Sequence, residues 1–196
     1  MARSGAPPRF EPMKRRIATT VALGCLGAAG AAAGTTARLA SAIDVGKTVL
    51  LAPRTKSSGC HLGANPDRRC SPGAYYTKLT RQVICAADFR TGAVRNVPAA
   101  EKFAVEREYG LAPRRYGRTL EIDHIVSLEL GGSNAIANLF PEKADAHLGY
   151  KAKDRLENAL HAIVCRGAMR LRTAQRRIAA NWQRLYTQVF GVPPTH

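Results

Sequence analysis

Asp123 and His124 stand next to each other in the stretch EIDHIVSLELGGSNAIANLF, residues 121–140. Asn138 follows His124 by 14 residues, and His147 follows Asn138 by nine. At about pH 7 an imidazole can take a proton from water when its other ring nitrogen is held by a fixed partner. A carboxylate and a second imidazole are among the groups that hold a divalent cation. These residue types therefore suit proton transfer beside a bound metal ion.

The sequence around these residues predicts a β-hairpin followed by a helix. EIDHIVSLEL is rich in Ile, Val and Leu, GGSN is a turn signal, IANLF returns the chain, and PEKADAHLGYKAKDRL begins a helix. The turn would bring Asn138 back beside the first strand, and the helix would carry His147 across the hairpin. Adjacent residues of a regular strand point to opposite faces, so a site shared by Asp123 and His124 requires a twist or a bulge. For an isolated Asp-His pair, the simpler interpretation is two polar residues without a ligand.

The same residues resemble a known family. DHIVSLELGGSNAIANLF, with His147 downstream, is similar to the ββα-metal motif of HNH endonucleases: Asp/His-His, a Gly-rich turn, Asn followed by Leu, and a further His on a helix. The chain also resembles a group of exported bacterial HNH-like proteins through Asn-Leu-x-Pro, Lys-Asp-x-Leu-Glu-Asn, Val-Cys and a late Ala-Gln…Trp…Tyr helix, over about residues 75–190. It departs from the pattern at Ser127, where Pro is usual, and at Lys151, where some members have a third histidine ligand.

The resemblance implies a role for each matching residue. His124 would be the general base, Asn138 would orient it, and Asp123 and His147 would hold a divalent metal ion. Mg²⁺ or Mn²⁺ suits such an open, oxygen-rich site, and Zn²⁺ or Ni²⁺ could also bind. The implied activity is an exported, metal-dependent HNH endonuclease, a hydrolase of DNA and perhaps RNA phosphodiester bonds with low sequence specificity. The alternative is an exported basic protein on the same scaffold that binds nucleic acid or another polyanion without cutting it.

The net charge favours a polyanionic partner. The chain has 30 Lys plus Arg against 14 Asp plus Glu, a formal net charge of +16 and a pI of about 10.4. Such a surplus attracts phosphate-rich polymers, nucleic acid above all, although a cell-wall polyanion or an ordinary solvated surface would also account for it. The cations that flank the motif are expected to bind nucleic acid, namely Arg115, Arg118, Lys143, Lys151 and Lys153.

Residues 1–42 read as a signal peptide. A basic start, MKRR, precedes an Ala/Gly/Val/Leu run, and Ala40 and Ala42 form the A-x-A pattern that signal peptidase recognises. A start at Met13 would give a more usual signal length. No later stretch is apolar enough to predict a membrane span. We therefore expect a secreted product with an N-terminal extension, residues 43–74, and an HNH nuclease-like domain, residues 75–196.

Because the product is expected to be exported, its cysteines are expected to form disulfides. Once Cys25 is removed with the signal peptide, four cysteines remain. This even number predicts two disulfides in an oxidising compartment. Of the three pairings, we favour Cys60 with Cys70, which closes a short loop, and Cys85 with Cys165, which ties the early part of the domain to a late helix. A zinc site from Cys60, His61 and Cys70 is the rival, but its ligand spacing is unfamiliar.

The remaining patterns predict an α+β fold with additional helices and a small N-terminal β region. QVICAADF and RTGAVRNV favour two strands joined at Thr91-Gly92. AAEKFAVEREYG predicts a helix ended by Gly110, and KAKDRLENALHAIVCRG predicts an amphipathic helix capped by Gly167. AQRRIAANWQRLYTQVFG predicts a last helix with Thr173 as its N-cap and Trp182 in the core.

Overall fold

The computed structural model describes residues 43–144 and 149–194. The predicted signal peptide, residues 1–42, and the predicted metal ligand His147 lie outside these ranges. The described part is a mixed α+β structure, as predicted. Its strands are β1 (Thr48–Leu50), β2 (Ala74–Tyr76), β3 (Leu120–His124) and β4 (Leu139–Lys143), and its helices are α1 (Arg81–Ile84), α2 (Ala99–Glu108), α3 (Tyr150–Cys165), α4 (Leu171–Ala180) and α5 (Trp182–Phe190).

Strands β3 and β4 form the predicted hairpin, but with other bounds: β3 ends at His124 and not at Leu130, and β4 includes residues 141–143, where a helix was predicted to begin. They pair antiparallel, and each residue of β3 has a single partner in β4. Asp123 faces Phe140, and His124 faces Leu139. The register has no bulge at Asp123 and His124, which was one of the two irregularities expected there, the other being a twist. Strand β3 instead ends at His124, and the chain bends at Ile125 into a loop with two short 3-10 turns. Strands β1 and β2 form a second antiparallel pair, which supplies the small N-terminal β region.

The prediction of two strands on either side of Thr91-Gly92 is wrong. Helix α1 replaces the first, and a 3-10 turn at Thr91–Ala93 lies within the second. The side chain of Thr80 caps α1 by accepting a hydrogen bond from the Val83 backbone N–H. The Arg81 guanidinium donates to the carbonyls of Val164 and Cys165 at the end of α3. Capping and tertiary contacts thus override the strand propensity of a short apolar run.

The helices predicted at residues 99–110 and in KAKDRLENALHAIVCRG are confirmed as α2 and α3. The predicted last helix is instead two helices, because Asn181 has extended backbone angles between α4 and α5. Its side chain accepts a hydrogen bond from the Arg184 backbone N–H at 2.8 Å and so begins α5. Thr173 lies inside α4, so its predicted role as N-cap is wrong.

A single hydrophobic core joins the hairpin to the three C-terminal helices. Trp182 of α5 is 1% exposed, as predicted, and its indole N–H donates to the Ala64 carbonyl at 2.8 Å. Leu156 and Leu160 of α3 and Phe140 of β4 are equally buried. Both predicted disulfides, Cys60–Cys70 and Cys85–Cys165, are confirmed. None of the helices in the described ranges is long and apolar enough to cross a membrane.

Candidate functional site

The loop between β3 and β4 depends on its double glycine. Gly131 has a φ of +72°, which favours glycine. A Cβ on Gly132 would lie 1.8 Å from the Val126 carbonyl oxygen, so no side chain fits there. The two glycines allow the loop to fold closely on itself and to return the chain to β4.

Asn138 holds this loop together from inside. Its side chain is fully buried, and its Oδ1 accepts hydrogen bonds from the backbone N–H groups of Val126 and Ala74 at 3.0 and 3.1 Å. Its Nδ2 donates to the carbonyls of Val126 and Ser133 at 3.0 and 2.7 Å. The amide that was predicted to orient His124 is thus fully engaged by backbone groups, and it makes no hydrogen bond to the imidazole.

Asn134 is the residue that orients His124. Its Oδ1 lies 3.1 Å from the imidazole Nε2, and its Nδ2 donates to the Val94 carbonyl at 2.8 Å and to the Tyr76 hydroxyl at 3.1 Å. Because the donors of the amide are directed to Val94 and Tyr76, its oxygen faces the histidine and can only accept a hydrogen bond. In the neutral imidazole Nε2 therefore carries the proton, and Nδ1 has a free lone pair.

The Nδ1 atom of His124 faces Asp123. It lies 3.8 Å from Asp123 Oδ1, although the two residues are neighbours on β3. The side chain of His124 is 4% exposed and that of Asp123 is 21% exposed. Both line a small pocket, called here the His124 pocket, whose other walls come from Thr91, Arg95, Ser127, Leu128, Glu129 and Glu157. The imidazole of fixed tautomer thus belongs to a residue that lines this pocket.

A buried lysine pairs with carboxylates on the other side of Asp123. Lys153 of α3 is 1% exposed, and its Nζ lies 2.6 Å from Asp123 Oδ2, 2.6 Å from Glu157 Oε1 and 3.4 Å from Glu142 Oε2. We call these four residues the Lys153 cluster. Lys153 was expected to bind nucleic acid, but its ammonium is enclosed by carboxylates and is not available to a phosphate.

The pKa shifts in the Lys153 cluster follow from burial and from the single ammonium. Burial raises the pKa of Glu157 to about 8 and that of Glu142 well above its ordinary value, against the opposing charge of Lys153. Burial would also raise the pKa of Asp123, but the Lys153 ammonium, together with His124 in its protonated form, holds it below its ordinary value. Burial alone would lower the pKa of Lys153, but the three carboxylates raise it. The ion pair between Lys153 and Asp123 is therefore the dominant charge pair of the cluster.

The described residues do not fit a divalent ion held by Asp123. Carboxylate oxygens of Glu121, Asp123 and Glu142 lie within 4.8 Å of one another, a grouping that a cation could use. However, Oδ2 of Asp123 already accepts from the Lys153 ammonium, and a dication on the same carboxylate would meet a positive charge a few ångströms away. Cys85, His161 and Cys165 also lie together, but both sulfurs belong to a disulfide.

Four of the five cations expected to bind nucleic acid are exposed, namely Arg115, Arg118, Lys143 and Lys151. Arg118 and Lys143 line one shallow depression beside the hairpin. A second depression, called here the Arg95 groove, is lined by Arg95, Lys102, Tyr116, Glu121, Asp123 and Asp154, among others. Arg95 and Asp123 line both this groove and the His124 pocket.

Sequence reasoning missed Arg95 and Asn134. Arg95 falls in a segment predicted to be a strand, and Asn134 was counted only as part of the GGSN turn. The guanidinium of Arg95 is exposed and makes no hydrogen bond or ion pair with the residues of ranges 43–144 and 149–194. No protein-family model, curated protein or solved structure matches the chain.

Proposed function

We propose that this chain is an exported phosphodiester hydrolase of the HNH ββα-metal type that acts on nucleic acid with low sequence specificity. Three features support the proposal: the hairpin of β3 and β4 followed by α3, the histidine at the end of β3, and the basic charge. The confirmed disulfides are compatible with export, since such bonds persist in oxidising compartments. No element resembles a sequence-reading module, so low specificity is expected.

The observation that carries the proposal is the fixed tautomer of His124. With Nε2 hydrogen-bonded to Asn134, Nδ1 is free to take a proton from a water molecule in the His124 pocket. The water oxygen would form a bond to phosphorus while the bond from phosphorus to the 3′ oxygen breaks, and the leaving oxygen would take a proton from solvent. The Asp123 carboxylate, 3.8 Å from Nδ1, would stabilise the imidazolium that forms.

The substrate would approach through the Arg95 groove. Arg95 and Lys102 provide positive charge along it, and Arg95 also borders the His124 pocket. A guanidinium without a protein partner can bind a phosphate through two parallel hydrogen bonds and would stabilise charge on the transferring group. The resemblance implies a divalent metal as well, but the described donors around Asp123 do not fit one, because the carboxylate already pairs with the Lys153 ammonium.

The second candidate is a non-catalytic basic protein that binds nucleic acid or a wall polyanion. The burial of His124 favours it, since a general base that is 3% exposed requires the pocket to open before water and phosphate reach it. The placement of Lys153 favours it too, because the ammonium balances charge inside the protein instead of binding substrate.

Cleavage of supercoiled plasmid and of single-stranded RNA by the purified chain distinguishes the two functions. Each substrate is incubated with Mg²⁺, Mn²⁺, Zn²⁺ or EDTA, and the comparison is with His124→Ala and with His61→Ala, an exposed histidine outside the pocket. We expect the chain and His61→Ala to cut and His124→Ala to lose nearly all activity. Equal cleavage by all three proteins, or none by any, would refute the hydrolase and leave the binding function.

A further inference from the structure

Lys153 occupies the place where the carboxylates of the site converge. Its Nζ lies within hydrogen-bonding distance of Asp123 and Glu157 and within ion-pair distance of Glu142. These acids come from three elements: Asp123 from β3, Glu142 from β4, and Glu157 one helical turn beyond Lys153 on α3. When carboxylates from three elements are ionised at one buried point, a cation between them is needed to offset their desolvation and their mutual repulsion.

Glu142 relies on this cation whenever its carboxyl group is ionised. Its side chain is fully buried, and neither carboxylate oxygen has a hydrogen-bond partner among the described residues. The nearest positive charge is the Lys153 ammonium, 3.4 Å away. An ionised carboxylate in this position depends on a neighbouring cation, because no neutral donor of the described residues compensates for its removal from water.

The geometry points to Lys153 as a built-in replacement for a divalent cation. We propose that its ammonium fills the cation position of the Lys153 cluster, so that no divalent ion binds at Asp123 in the native chain. Removal of the ammonium creates a divalent-cation site from Asp123, Glu142 and Glu157. This inference does not rest on the hydrolase proposal, because it concerns cation binding and holds equally for a non-catalytic protein.

Titration with Mn²⁺, followed by the electron paramagnetic resonance of the free ion, tests the inference. The proteins are the native chain, Lys153→Met and Lys151→Met, a matched control because Lys151 is an exposed lysine two residues earlier on the same helix. We expect Lys153→Met to bind one Mn²⁺ at least ~100-fold more tightly than the native chain, because a nearby positive charge has been removed. Lys151→Met should behave as the native chain does.

Asp123→Asn locates the ion. When Asp123→Asn is added to Lys153→Met, the affinity for Mn²⁺ should fall strongly, because a carboxylate ligand is lost. Tight, stoichiometric Mn²⁺ binding by the native chain that Asp123→Asn removes would overturn the inference. Failure of Lys153→Met to gain a site would also overturn it, since the cluster would then not be a cation position.

Loss of the buried ammonium leaves three acids uncompensated, so folding is measured in parallel by circular dichroism. If Lys153→Met does not fold without metal, the inference requires that Mn²⁺ restores the native spectrum, because the ion would replace the missing charge. Lys153→Gln, which retains hydrogen-bond donors but no charge, is tested in the same way. Failure of Mn²⁺ to fold or to bind either variant would count against the inference.

Discussion

The Nε2 atom of His124 and the Oδ1 atom of Asn134 lie 3.1 Å apart, and this contact joins the end of β3 to the loop that connects β3 and β4. This contact fixes which ring nitrogen carries the proton and directs the basic nitrogen toward Asp123. The amide is held in turn by Val94 and Tyr76, which precede the hairpin in the chain. The tautomer of His124 therefore depends on two segments that lie outside the hairpin, those that contain Tyr76 and Val94.

Asn134→Ala should reduce hydrolysis by about 10²-fold or more, because the imidazole loses the acceptor that sets its tautomer. The pH profile of the remaining activity should also shift, which a merely structural defect would not cause. The measurement is the cleavage rate as a function of pH at saturating protein. Unchanged rates and an unchanged profile would show that Asn134 does not position His124.

Asn138→Ala should lower the free energy of unfolding of the chain. The fully buried side chain makes four hydrogen bonds to backbone groups, and its removal leaves those groups without partners. A loss of about 2–5 kcal/mol in the free energy of unfolding is expected, since unsatisfied buried groups are costly. Urea denaturation measures it, with Asn158→Ala, an exposed asparagine of α3, as the control. A loss equal to that of the control would contradict the structural role of Asn138.

The main elements of the fold could be predicted because their signals are local. The strands around Asp123 follow from a β-branched run and a glycine turn, and α3 follows from the spacing of Leu156 and Leu160. Helix α1 could not be predicted, since four residues show no periodicity and its stability comes from Thr80 and from contacts with α3. The break at Asn181 was missed because the apolar period of α4 continues across it into α5.

The site was less predictable because its contacts are long-range. Asn134 and Asn138 both lie between β3 and β4, and only the folded loop decides which of them meets His124. Lys153 looks like a surface lysine in the sequence, yet it is buried because α3 packs it against β3 and β4. The hairpin register that brings Glu142 near Asp123 is not visible in residue types alone.

The two disulfides should differ in their contribution to stability. Cys60–Cys70 closes a separation of 10 residues and Cys85–Cys165 one of 80. Chain entropy predicts a stabilisation of about 2.7 kcal/mol for the short loop and about 4.5 kcal/mol for the long one. Denaturation of the paired variants Cys60→Ala with Cys70→Ala, and Cys85→Ala with Cys165→Ala, measures both. A larger loss for the short loop would show that packing outweighs loop entropy.

The stability of the chain should fall as pH rises from about 5 to about 8, in part through Glu157. Its pKa is raised from 4.5 to about 8 in the folded state, so the folded chain binds a proton that the unfolded chain has released. The slope for one such group approaches about 1.4 kcal/mol per pH unit. Glu157→Gln should flatten this slope in urea titrations at several pH values, whereas Asp88→Asn, which removes an exposed carboxylate, should not. If the free energy of unfolding changes with pH in the same way for all three proteins, Glu157 is not neutral in the folded chain.

Arg95→Ala should weaken nucleic-acid binding without changing stability. The guanidinium has no described protein partner, so its removal should alter the free energy of unfolding by less than about 0.5 kcal/mol. If Arg95 contacts one phosphate, the slope of log affinity against log salt should fall by about 1. Arg68→Ala, an exposed arginine in the loop closed by Cys60–Cys70, provides the matched control, because Arg68 lines neither the His124 pocket nor the Arg95 groove. Equal salt slopes for the native chain and both variants would place the phosphate contacts elsewhere on the surface, and a reduced slope for Arg95→Ala alone would assign the groove to the substrate.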